Sequence, residues 1–274
     1  MTFFARRRVI HSLLTLTALG AVACVAAWLE NNLRPSSYFT GWVLLATILF
    51  LASLQLRKKI PAPSLGSASA WLQAHVYAGL ATAALFAMHA GVSWPRGWLE
   101  AGLAMLYAAT FVSGVVGLYW TRTLPRRLSR LGEEVVYERI AATRGLLRDR
   151  AQATVLGAVR SAGATTLGEF YRDRLHDYFS SRRGWRYRLW PTSQLRKALL
   201  ADLTETTRYL SDAERKTAED LFSLVRSRDD LDYHEALQWR LRVWLFVHIG
   251  LTYPLLAAAA LHAWLAHLFS GAGV

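Results

Sequence analysis

The stretch HVYAGLATAALFAMH, residues 75–89, is apolar almost throughout and carries a histidine at each end. An imidazole on such a helix is costly unless it faces protein and has a partner, so both His75 and His89 mark a candidate site. The stretch HIGLTYPLLAAAALH, residues 248–262, repeats the arrangement with the same interval of 14 residues. At about 100° per residue this interval ends about 40° short of four turns, and at the period of a supercoiled bundle it closes four whole turns. The two histidines of each stretch therefore share a helix face, about 21 Å apart along the axis.

Five apolar runs surround and include these stretches, at residues 9–29, 38–56, 71–92, 98–120 and 241–269. Each has roughly the 20 residues needed to cross a bilayer. In a chain of 274 residues, 53% of them hydrophobic, they predict an all-α integral membrane bundle of five transmembrane helices. Trp71, Trp98, Trp120, Trp239 and Trp264 lie at or beside the ends of the last three runs, where an indole anchors at the interface. Arg6–Arg8 ahead of the first run resemble the start of an export signal, but that run is too long and lacks a small-residue cleavage site, so a retained helix is expected.

Charge sets the expected orientation. Arg6, Arg7 and Arg8 precede the first run; Arg57, Lys58 and Lys59 follow the second; Arg122, Arg126, Arg127 and Arg130 follow the fourth. The opposite loops carry only Arg34 and Arg96. Positive residues stay inside, so the N-terminus is expected in the cytoplasm and the C-terminus on the exported side of a bacterial inner membrane. The net charge of +13 follows from topology and not from nucleic-acid binding. With Cys24 as the only cysteine, an intrachain disulfide, a cysteine-ligated cluster and covalent haem attachment are excluded. No Gly-x-Gly-x-x-Gly or Walker loop indicates a nucleotide site.

Three segments are expected: 1–120 with the first four spans, 121–238 as a mainly helical cytoplasmic insert, and 239–274 with the fifth. Within the insert, residues 132–159 have amphipathic spacing with Glu133 and Glu134 near the start, and Ser211 with Glu214 forms a capping box. RRGWRYRLWP, residues 182–191, interleaves arginines with aromatics. In a membrane protein that pattern reads as an interface-hugging or partner-docking segment rather than a nucleic-acid platform. His176 and His234, without a second ligand in a recognisable motif, read as surface histidines.

The third and fifth spans run in the same direction under this topology. His75 and His248 therefore fall on the cytoplasmic side, His89 and His262 on the exported side. Paired neutral imidazoles in an apolar bundle suit bis-histidine haem iron, giving an inner site (His75, His248) and an outer site (His89, His262) for two haem b groups. Gly79, Gly114 and Gly117 are positions where a macrocycle can approach backbone, although small residues also ease helix packing. Arg240 and Arg242, one to two turns before His248, are candidates to pair with inner-haem propionates or to serve as positive-inside anchors. Zinc competes poorly, since two imidazoles per level leave it short of ligands. His11 reads as interfacial; His267 is an alternative outer ligand. Glu100, at the exported mouth of the fourth span, is a candidate quinol-proton acceptor or a plain interfacial acid.

The two histidine pairs and their spacing resemble the di-haem cytochrome b core of bc-type quinol-oxidising complexes. There, two parallel helices separated by one crossing each carry two haem-ligating histidines with 13 residues between them. The resemblance covers the second to fifth spans. It implies an electron-transfer subunit working between the quinone pool and other redox subunits, which would dock on the insert or the exported face. The Pro-Glu-Trp-Tyr quinol-site signature is missing, so that quinol-oxidation site is not carried over. The membrane domains of ferric reductases and NADPH oxidases are similar in placing their ligands on the third and fifth spans. They imply an alternative activity, reduction of iron or oxygen at the outer haem. A non-redox scaffold or sensor is the third function class.

Overall fold

The computed structural model describes residues 3–59, 67–91, 95, 97–129, 135–163 and 165–270; among them there is no strand. The predicted features at Val92, Arg96, Arg130, Gly132, Glu133 and Glu134 lie outside the described residues. The chain divides into two compact units, residues 1–118 with 245–274, and residues 119–244.

The first unit holds α1 (Phe3–Asn31), α2 (Ser36–Lys59), α3 (Ala68–Ala90), most of α4 (Trp98–Leu128) and the C-terminal part of α10 (Asp212–Ser270). α1 ends in a tight turn in which Leu33 adopts φ 57° and Arg34 N–H donates to Leu29 O at 2.9 Å. Ser67 caps α3 by accepting from Ala70 N–H, and Gly91, at φ 64°, closes it with a bond to Ala87 O. Gly91 fits because that left-handed region strains any residue with a Cβ. α3 packs against α2 and α1. Leu44 and Ile48 of α2, Leu85 of α3, Tyr107 of α4 and Leu255 of α10 form a shared buried cluster. At its centre Tyr107 stacks on Phe86 at 4.2 Å and donates to Thr82 Oγ1 at 3.1 Å, while Thr82 donates to Gly79 O. This chain of bonds satisfies the buried polar atoms that an apolar bundle would otherwise strand.

The outer face of this unit is apolar: Leu16, Met105 and Phe246 are 64%, 69% and 77% exposed. Among the described residues four helices, α1, α2, α4 and α10, are long and apolar enough to cross a membrane. α3 falls short of that measure because Gln73, His75 and His89 offset its apolar residues.

The second unit holds the end of α4, α5 (Ile140–Ala162), α6 (Thr165–Phe170), a π-helical turn at Tyr171–Leu175, α7 (His176–Ser180), α8 (Trp185–Leu189), α9 (Gln194–Thr206) and the N-terminal part of α10. α10 starts where Ser211 N–H and Oγ–H both donate to the Glu214 carboxylate at 2.9 Å. One face of α10 is buried at Ala218, Leu221 and Val225 against Leu167, Leu175, Phe179 and Leu203. The same face continues into charge. Arg228 and Asp232 are fully buried and bonded to each other, and Arg228 also donates to Ser181 O at 2.8 Å. Arg144 bonds Asp232 and Glu235; Arg183 reaches Asp229 and Asp232; Arg188 bonds Glu235. His234, expected at the surface, is buried on this helix, with Nδ1 making no hydrogen bond; His176 is exposed. The insert's charge density hides this buried face in the sequence.

Candidate functional site

Four half-buried histidines meet in two pairs inside the first unit. The rings of His75 (α3) and His248 (α10) lie 6.4 Å apart between centroids at an interplanar angle of 74°. Those of His89 (α3) and His262 (α10) lie 6.1 Å apart at 85°. A ring nitrogen lies about 1.1 Å from its centroid, so facing nitrogens come no closer than about 4 Å, beyond the reach of a direct hydrogen bond. Such centroid separations are those of two imidazoles bonded through one nitrogen each to a common atom at about 2 Å.

The other edge of two of these rings is occupied. His89 Nδ1 lies 3.0 Å from Ser37 O. A carbonyl only accepts, so Nδ1 carries the proton, and the neutral ring keeps its lone pair on Nε2. His248 Nδ1 is bonded to Ser113 Oγ at 2.7 Å, and Thr252 Oγ1 donates to His248 O. Partners of this kind on the far nitrogen orient metal-ligating histidines.

Glycine makes room for these rings. A Cβ at Gly41 of α2 would stand 2.8 Å from His89 Cε1, closer than two unbonded carbons approach. At Gly114 the nearest contact would be His248 Cε1 at an ordinary 3.5 Å, and at Gly79 only Leu51 Cδ2 at 4.0 Å. Gly117 is buried one turn along α4 from Gly114. Ser37, Gly41 and Ser113 were not singled out from sequence. Ser113 sits within FVSGVVGLYW, whose glycines alone drew notice; Ser37 and Gly41 lie on α2, which carries no histidine to draw the eye.

The remaining candidates lie elsewhere. His11 stacks on Tyr77 at 5.5 Å, and His267 lies against Trp42 at 5.5 Å and Tyr38 at 6.4 Å. Glu100 is in the first turn of α4. Arg240 and Arg242 belong to the second unit. There Arg240 Nε donates to Arg188 O at 2.9 Å, and Arg242 pairs with Glu138 with its guanidinium 4.0 Å above the Tyr137 ring. Among the described residues no three His, Cys, Asp or Glu side chains cluster as a metal site. The chain matches no family model, no curated protein and no solved structure.

Proposed function

We propose that the protein is a di-haem b-type cytochrome of the bacterial inner membrane, carrying electrons between the quinone pool and a redox partner. The observation that carries this reading is the repeated gap: two imidazole pairs, at centroid separations of 6.4 and 6.1 Å, on the same two helices. His75 and His248 would hold one haem iron and His89 and His262 the other, each pair standing at a spacing that suits one metal atom shared between two imidazoles. Two imidazoles per level would be enough to hold a haem iron, where zinc would need further side-chain ligands.

Haem, when bound, supplies one-electron iron chemistry. The chain's own residues prepare and protect the two levels. Ser37 fixes the His89 tautomer with Nε2 bare, Ser113 holds the far edge of the His248 ring, and Gly41 admits the His89 ring. Between the levels, Phe86, Tyr107 and Thr82 fill the bundle and exclude water. In this reading α3 is a fifth span, its polar residues shielded by α1, α2, α4 and α10. The N-terminus and the second unit lie in the cytoplasm, and the C-terminus lies on the exported side.

Pyridine haemochrome analysis of the purified protein tests the reading. The expected haem-to-polypeptide ratio is about two, and a ratio near zero overturns it. His89→Ala should lose one haem and keep the other; retention of both would move the outer ligand to another residue such as His267. Rapid oxidation of the reduced protein by a quinone, in preference to ferric iron or oxygen, separates an electron carrier from a ferric-reductase-type enzyme.

A further inference from the structure

In RRGWRYRLWP, residues 182–191, alternate cations have different surroundings. Arg183 reaches Asp229 and Asp232 and lies between the rings of Tyr178 and Tyr187, 5.0 and 5.1 Å from their centroids. Arg188 bonds Glu235, lies 5.9 Å from the Trp239 ring, and accepts Arg240 Nε–H at its carbonyl. These contacts fix α8 to α10 at residues 229–240. The other members face outward: Arg182 and Arg186 are exposed, Trp185 is 63% exposed and Trp190 74%. The same neighbourhood buries Tyr178 and Phe179, whereas these two indoles stay exposed, with Arg186 lying 5.6 Å over the Trp185 ring.

The anchoring helix indicates what these exposed side chains face. Trp239 and Arg240 stand directly before the apolar run of α10 that opens at Leu241. Where such a run enters hydrocarbon, the residues just before it lie in a headgroup layer about 5–7 Å thick. A segment fastened to Trp239 and Arg240 shares that depth. Indoles favour this layer, and cations are drawn there by anionic lipids.

We propose that Arg182, Trp185, Arg186 and Trp190 form a docking surface for the anionic headgroups of the membrane the protein spans. The proposal rests on the membrane-spanning part of the reading above and not on haem. The test places a nitroxide on Thr192→Cys, an exposed neighbour that leaves all four side chains intact, in a Cys24→Ser background and in lipid nanodiscs. Collisions with a water-soluble nickel chelate should fall severalfold when phosphatidylglycerol replaces part of the phosphatidylcholine. That protection should be lost in Arg182→Gln/Arg186→Gln and, without any further mutation, on raising the salt to about 1 M, where charges are screened within about 3 Å. Equal accessibility in neutral and anionic bilayers overturns the proposal and leaves the segment to a soluble partner protein. A second label at Leu16→Cys, on the exposed face of α1, reports separately on membrane insertion: only its exposure to the chelate would sink the spanning reading itself.

Discussion

Gly41 has no side chain, and the position of His89 depends on that. A methyl group there would stand 2.8 Å from the imidazole, so the ring would have to shift against its 3.0 Å bond to Ser37 O. If the two histidine pairs hold haem as proposed, Gly41→Ala is expected to cost the outer one, lowering the haem-to-protein ratio from about two to about one. Gly114→Ala, with its nearest contact at 3.5 Å, should keep both; the haemochrome assay checks each. The four histidines were legible because a 14-residue interval, repeated on two apolar helices, survives as a pattern in one dimension. Gly41 was not, because its role is a close approach between α2 and α3, and nothing in FTGW announces which neighbour fills the space.

Along α10 the buried face changes chemistry without changing phase. Ala218, Leu221 and Val225 pass into Arg228 and Asp232, with Arg144, Arg183 and Arg188 arriving from α5 and the α8 region. Removing one member of such a network leaves a buried charge unmatched. Asp232→Ala, which strips Arg228, Arg144 and Arg183 of a shared carboxylate, is expected to destabilise by about 3–5 kcal/mol, read as a fall in the thermal midpoint. His234 gives the same element a pH dependence. Burial holds its imidazole below the ordinary value of 6.5, with Asp230 opposing the shift. The unfolded chain therefore takes up a proton that the folded chain resists. Stability is unaffected above about pH 6.5 and declines as the pH falls below it, and His234→Gln should flatten that decline between about pH 7 and pH 5 in thermal melts. The helices and the Ser211–Glu214 cap were readable here. The network was not, because charged positions in a sequence are assigned to water, and only the fold reveals that Arg144, Arg183, Arg188 and Arg228 converge on Asp229, Asp232 and Glu235.

At the scale of the molecule, the apolar face that bundles four long helices outward has no aqueous solution. The protein is expected to sediment with membranes, to resist extraction by high salt and alkaline carbonate, and to dissolve only in detergent; release by carbonate would contradict this. Hydropathy made that legible for α1, α2, α4 and α10; α3 falls short of the same measure, since Gln73, His75 and His89 lower its mean. The two ring pairs carry a consequence for descent as well. His75 to His89 and His248 to His262 act as matched rulers laid side by side, so an insertion in one separates a pair unless the other lengthens by the same count. Lineages of this protein should therefore inherit the equality of the two lengths more faithfully than the residues that fill them.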